Sequence, residues 1–345
     1  DILGKILYSE PVMWITEILK RKKSILALSP MADMTDSPFC QIVRKIGGAD
    51  IVFREMVSAE AIVRENKKTL GMTDFESCER PIVQQIFGAD PSTMARAAAI
   101  VMEHAAPEGI DINMGCPVYK ITSNFNGCAL MREPERAAAI IREIKKAVGE
   151  TPVSVKIRLG WSNPDEFEKF IPVIEAAGAD LITIHGRTKA QGYSGRSDWE
   201  RIGRAKKIAR VPILANGDIH APTQVGEALE VTGADGVLIA RGALGNPWFF
   251  DRAQSACHPE GSERSEQSRG ISLNERIRIV LEHARLHVAH YGERGIVTFR
   301  KHLSWYFKTS RIGFEIPGIG DFRVKLMKVS SIEELELLMT SFFKK

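Results

Sequence analysis

Gly109-Ile110-Asp111-Ile112-Asn113-Met114-Gly115-Cys116-Pro117-Val118 is a short apolar run that stops at Gly-Cys-Pro. Gly permits a tight turn, and Pro fixes φ and blocks further strand pairing. The run reads as a buried strand with the Cys116 thiol at its C-terminal edge, where parallel α/β folds place their chemistry. Asn113, three residues upstream, faces the same mouth. A free cysteine is also a common small buried hydrophobe, so position alone leaves both readings open.

Similar apolar runs recur on either side, at 25–29, 50–53, 82–87, 152–159, 180–184, 212–215 and 236–240, eight in all with 109–113. Helix-periodic segments lie between them, for example 134–148, 164–176, 199–209 and 222–232, several opening with Pro as a first helical turn permits. Gly-Ala-Asp recurs at 48–50, 178–180 and 233–235 and reads as a helix-capping Gly followed by strand entry. Eight βα units over roughly 220 residues match the count and length of a (β/α)8 TIM barrel, assigned to residues 24–250. The rival, a doubly wound sheet, carries a Gly-rich fingerprint after its first strand. Here that strand ends in Ser29-Pro30-Met31-Ala32-Asp33.

Residues 1–23 read as an N-terminal extension without a signal-peptide pattern, and Met13 is a candidate native start. Residues 251–271 read as a polar linker or loop. Residues 272–345 read as an all-α domain, with helices at 273–291, 294–310, 321–329 and 331–343. The chain has 345 residues, 44% hydrophobic and 26% charged, as in soluble globular proteins. No apolar run approaches the ~20 residues of a membrane helix. The five cysteines (Cys40, Cys78, Cys116, Cys128, Cys257) are odd in number and lack CxxC spacing. Neither a disulfide framework nor a zinc site is expected, no metal is assigned, and a reducing cytoplasm fits. Net charge is only +4, but residues 271–345 carry 13 Lys/Arg against 8 Asp/Glu.

Four consecutive strand ends carry polar residues that packing does not require: Lys156, His185 with Arg187, Asn216-Gly217-Asp218, and Ala240-Arg241. An inward Lys is costly to bury without an anionic partner. The last two ends offer unobstructed N–H groups and a guanidinium where many barrels bind phosphate, with helix N-terminal dipoles in support. Lys156 would lie beneath the body of a phosphorylated cofactor, where a cation stabilises an anionic reduced flavin. Gln85 and the backbone of Pro30, Met31 and Ala32 could bond the flavin's polar rim. FMN fits better than FAD, because no second nucleotide-binding fold is visible.

Seven motifs stand in the order and spacing of the tRNA-dihydrouridine synthases, which the chain resembles over roughly residues 25–310. They are Pro30-Met31-Ala32-Asp33-Met34-Thr35-Asp36, Gln85-Ile86-Phe87-Gly88, Asp111 to Pro117, Lys156-Ile157-Arg158-Leu159-Gly160, Ile184-His185-Gly186-Arg187-Thr188, Asn216-Gly217-Asp218-Ile219 and Ala240-Arg241-Gly242-Ala243. Arg300-Lys301-His302-Leu303-Ser304-Trp305-Tyr306 looks most like the bacterial B-type branch. The resemblance implies reduction of specific tRNA uridines to 5,6-dihydrouridine, with FMN as cofactor and NADPH as reductant. It gives Cys116 the proton-donor role and places Asn113 and His185 at the uracil and flavin edges. It implies FMN contacts for Pro30, Met31, Ala32, Gln85, Lys156, Asn216, Gly217, Asp218, Ala240 and Arg241. Three positions depart from the pattern: Asp33 where Gly is usual, Cys128 where Ala is commoner, and Ala240 for a common Gly.

The C-terminal helices, with Arg294, Arg300, Lys301, Lys308 and Arg311, are the expected holder of tRNA through phosphate contacts. Arg187 and Arg196 would assist at the mouth. At least two of Trp305, Tyr306 and Phe307 are expected to pack the helices together. No membrane and no obligate protein partner are expected. Two alternatives remain at this stage: a flavin barrel reductase acting on a free small molecule, and a non-catalytic RNA-binding relative. The basic helical segment argues against the first, and the presence of Cys116 and Lys156 against the second.

Overall fold

The computed structural model describes residues 14–22, 24–257, 271–313 and 315–343. Met13 and the polar stretch 258–270 lie outside the described residues. Eight parallel strands close into one barrel: β1 (Ile25–Leu28), β2 (Ile51–Ser58), β3 (Ile82–Phe87), β4 (Gly109–Met114), β5 (Val153–Arg158), β6 (Leu181–His185), β7 (Ile213–Asn216) and β8 (Gly236–Ile239). β1 closes the ring on β8, with Ile25 opposite Gly236. All eight expected strands are present. Helices run between them; Pro134 opens its helix, whereas Pro164 and Pro222 lie just ahead of helices that begin at Phe167 and Gln224.

The barrel interior has two halves. Its lower half is apolar, with Ile25, Ala27, Phe53, Val83, Leu181, Leu214 and Leu238 in one buried cluster. Trp14 and Ile15, from the helix Trp14–Arg21, belong to that cluster. Trp14 meets Phe53 edge-on at 6.2 Å between ring centroids. Residues 14–21 therefore plug the barrel floor and are not a loose extension, because two large apolar side chains find burial there. The upper half is polar and forms the site described below.

The polar linker expected at 251–271 does not begin at 251. Residues 251–257 continue the helix Phe249–Cys257, whose Ala253 is buried and whose Gln254 donates to the Gly48 carbonyl at 2.8 Å. The C-terminal helices are Leu273–Tyr291, Gly295–Tyr306, Thr309–Ile312, Ile319–Leu326 and Ile332–Phe343. Their core is built on Ile279, Phe299, Leu303, Tyr306, Phe322 and Leu335, and it takes in Ile42 and Trp248 from the barrel side. Tyr306 and Phe307 are buried and Trp305 half-buried, so two of the three aromatics pack the helices. Among the described residues no helix is long and apolar enough to cross a membrane.

Candidate active site

A cavity of about 410 Å³ opens at the C-terminal ends of the strands. Every residue expected to touch cofactor lines it: Pro30, Met31, Ala32, Gln85, Lys156, His185, Asn216, Gly217, Asp218, Ala240 and Arg241. Cys116 and Asn113 line it too. The barrel register explains the grouping, since Lys156 on β5 stands opposite Asn113 on β4 and Thr183 on β6.

A directed hydrogen-bond chain sets the Cys116 turn. Asp111 is wholly buried on β4, and its carboxylate accepts from Ser154 Oγ and from Gln85 Nε2, each at 2.6 Å. An ionised carboxylate only accepts, so the Gln85 amide must turn its nitrogen to Asp111 and its oxygen to the next member. Gln85 Oε1 accepts from Asn113 Nδ2 at 2.9 Å. Asn113 Oδ1 then accepts from the Gly115 and Cys116 N–H groups at 3.2 and 3.0 Å. Asn113 thus holds the cysteine turn, a role the sequence did not suggest. Gln85 keeps one N–H and one lone pair for the cavity. Burial pushes Asp111 up to about 6 against the bonds from Ser154 and Gln85. Asp111 is the member that sequence reasoning missed. The polar alternation of Asp111 and Asn113 along an otherwise apolar strand was its only signal.

Lys156 has no hydrogen-bond or ion-pair partner among the described residues. Burial, reinforced by Arg158, pulls its ammonium down to about 8. The Gly217, Asp218 and Arg241 N–H groups likewise donate to nothing else described. Gly217 has φ of 115°, and a Cβ there would lie 2.3 Å from Ser197 Oγ and 2.8 Å from His185 Cδ2. The Asp218 carboxylate turns away onto Arg187 Nη2 at 2.6 Å and Ser197 N at 2.8 Å. Burial opposes its ionisation, but those donors outweigh it and hold the carboxyl below its usual range. An unpaired cation and three free amides in one cavity suit an anionic ligand. The helices after β7 and β8 begin at Gln224 and Phe249, beyond the lining, so turns rather than helix N-termini supply these N–H groups.

His185 is buried beside Lys156, Arg158 and Arg187, and burial first, then those charges, keep its imidazole well below its ordinary range. Arg187 Nη1 lies 3.1 Å from His185 Nε2. A guanidinium can only donate, so Nε2 accepts and Nδ1 carries the proton. Arg187 is itself buried and bonds the Ser194 and Gly195 carbonyls and Asp218. It braces the loop and is not placed to touch RNA. Cys128 is buried off the cavity, with its thiol pushed up to about 12 by burial. Asp33 is exposed with φ of 62°, a backbone state that accounts for Gly as the usual residue there.

Other expected contacts are also spent internally. Arg300 donates to the Val329 carbonyl at 2.9 and 2.7 Å and to that of Lys328 at 3.0 Å. Lys301 Nζ lies 3.5 Å from Asp36. Arg311 bonds the His220 and Arg241 carbonyls at 3.3 and 2.5 Å. Arg196 and Arg294 are exposed and without side-chain partners among the described residues. Tyr193, unassigned from sequence, is 62% exposed at the cavity rim, with Arg241 and Arg158 5.4 and 5.6 Å from its ring centroid.

The family model for dihydrouridine synthase matches residues 26–344. The chain is 36% identical to a probable tRNA-dihydrouridine synthase 1 of Synechocystis, over 89% of this chain and 82% of that one. It is 34% identical to tRNA-dihydrouridine synthase B of Pseudomonas aeruginosa, over 92% of each. Among solved structures it resembles a complex of 2-naphthoyl-CoA reductase in fold, with a TM-score of 0.54 and 13% identity over 68% of this chain and 50% of that one.

Proposed function

The chain belongs to the dihydrouridine synthase family, and from that premise we propose that it reduces specific uridines of tRNA to 5,6-dihydrouridine. The observation that carries this reading is the single cavity where Cys116, Lys156 and the Gly217, Asp218 and Arg241 amides meet. Flavin mononucleotide, when bound, supplies the hydride for C6 of the uracil ring at the expense of NADPH. Lys156, the Met31–Ala32 backbone and the β7 and β8 turns are the residues that would hold it.

Cys116 Sγ gives the proton to C5. Thiols, with a reference pKa of about 8.5, transfer protons at neutral pH where a serine hydroxyl is far too weak an acid. The Asn113 cap on the Cys116 N–H sets the thiol's position at the strand end. His185, held by Arg187 as the neutral Nδ1–H tautomer, lines the cavity. The target base must leave its stack to reach the cavity. Tyr193 at the rim and Tyr119, 82% exposed in the turn after Cys116, provide faces for bases to rest on.

Incubating the flavin-loaded protein with NADPH and dihydrouridine-free tRNA should yield nucleosides two hydrogens heavier at particular uridines, read by mass spectrometry. A yellow protein that leaves tRNA unchanged would refute the proposal. Cys116→Ala should lose about 10²–10⁴-fold in product formation with tRNA binding intact. Cys128→Ala, altering a thiol outside the cavity, should stay near wild type.

A further inference from the structure

Four side chains meet between the barrel and the C-terminal helices: Asp36, His283, His287 and His302. All are buried, none more than 2% exposed. Asp36 precedes the helix Ser37–Ile46 and caps it through Oδ1, which accepts from Phe39 N at 3.2 Å. His283 and His287 stand one helical turn apart on Leu273–Tyr291, and His302 lies on Gly295–Tyr306. One ligand atom from each lies within 4.8 Å of all the others. Asp36 Oδ2 is 3.5 Å from His287 Nδ1 and 3.9 Å from His302 Nε2.

The ring nitrogens turned to this centre, His283 Nε2, His287 Nδ1 and His302 Nε2, have no partner within hydrogen-bond distance among the described residues. The opposite nitrogens of two rings are held. His283 Nδ1 is 3.0 Å from the Tyr306 hydroxyl, and His287 Nε2 is 2.9 Å from Thr298 Oγ1. Thr298 spends its proton on the Gly295 carbonyl at 3.0 Å, so its oxygen accepts from His287 Nε2–H. That assigns a bare lone pair to His287 Nδ1, facing a buried carboxylate oxygen. Two acceptors 3.5 Å apart in a buried site repel unless a cation stands between them.

We propose that Asp36, His283, His287 and His302 form a four-coordinate site for a divalent transition ion, zinc above all. Three imidazoles and one carboxylate are a zinc ligand set, and a closed buried site is structural rather than catalytic. Tetrahedral ligands at about 2.0–2.1 Å lie about 3.3–3.4 Å apart, so the cluster, within 4.8 Å throughout, closes by about 1.5 Å at its widest. Thr298 and Tyr306 act as the outer shell that orients the rings. Lys301 Nζ, 3.5 Å from the same Asp36 oxygen and 27% exposed on its side chain, is the rival cation and can swing to solvent. The ion ties the loop that carries Met31 and Ala32 to the C-terminal helices.

The test is metal analysis of untagged, full-length protein, dialysed against micromolar zinc and then gel-filtered. About one zinc per chain is expected, with X-ray absorption showing nitrogen and oxygen neighbours at about 2.0–2.1 Å and imidazole scattering. His287→Gln and His302→Gln should retain less than a tenth of the metal. Thr298→Val, which removes only the ring's acceptor, should weaken zinc binding about 10–100-fold. Wild type that retains no zinc, with a melting temperature indifferent to zinc and chelator, overturns the site. So does zinc bound equally by wild type and by the His287→Gln and His302→Gln variants.

Discussion

At the scale of single residues, two buried charges make the site sensitive to pH in opposite directions. Asp111 stands at about 6 when folded and near 3.8 when unfolded. Between those values the folded chain holds a proton the unfolded chain lacks, so this group's contribution to stability falls as pH rises through the window. Protonation also lets Asp111 donate and releases the fixed direction of Gln85 and Asn113. Product formation should therefore decline below about pH 6, and Asp111→Asn should flatten that acidic limb; an unchanged limb would remove Asp111 from the chain of control. Lys156 shifts the other way, to about 8 from 10.5. In ligand-free protein the unfolded state binds more protons between pH 8 and 10.5, so stability from this group rises across that range. Affinity for FMN, followed by flavin fluorescence, should fall as pH passes about 8, and Lys156→Met should abolish the dependence. The placement of Cys116 and Lys156 in the cavity was legible, because a thiol ends one apolar run and an ammonium interrupts another. The job of Asn113 was not, because it depends on which way two amides turn.

At the scale of elements, one device repeats around the barrel floor. Asp50 accepts from Leu26 N at 2.8 Å, Asp180 from Val153 N at 2.7 Å, and Asp235 from Ile213 N at 2.7 Å. Glu108 does the same for Ile82 N at 2.6 Å. Each acid precedes an even-numbered strand and ties down the start of the odd-numbered strand before it. Each also pairs with a base: Lys22, Arg80, Lys145 and Lys206 in chain order. The Gly-Ala-Asp repeats were legible as helix ends, and Gly178 and Gly233 do adopt φ of 103° and 59°. Their Asp residues were not read, since the acid serves a neighbouring strand far off in sequence. The fourth copy, Pro107-Glu108-Gly109, hides the pattern by changing the residues. Asp180→Ala leaves the Val153 N–H and Lys145 unpaired and should cost about 1.5–3 kcal/mol, measured by urea unfolding. A loss under about 0.5 kcal/mol would show that water replaces the carboxylate.

At the scale of the whole molecule, basic side chains bolt the C-terminal helices to the barrel mouth, and Arg311 is the one among them that sequence assigns to RNA. Arg276 is buried and donates to the Gly245, Tyr306 and Arg311 carbonyls at 3.0, 3.2 and 2.7 Å. Arg311 grips the β7 and β8 turns, and Lys45 pairs with Glu282 across the same junction. Counting charges along a chain cannot separate a guanidinium that faces solvent from one that closes a helix end, as Arg300 does at the Lys328 and Val329 carbonyls. The two kinds of arginine should part in experiment. Arg300→Ala removes the donors to the Lys328 and Val329 carbonyls and should lower the melting temperature by several degrees, with the salt dependence of tRNA affinity unchanged. Arg196→Ala and Arg294→Ala change exposed side chains and should move stability by no more than about 0.5 kcal/mol. Each, if it meets a phosphate, should flatten the slope of log affinity against log salt by about 0.7–0.9. A flattened slope in Arg300→Ala with its melting temperature unmoved would return that residue to the RNA surface and take it off the helix end.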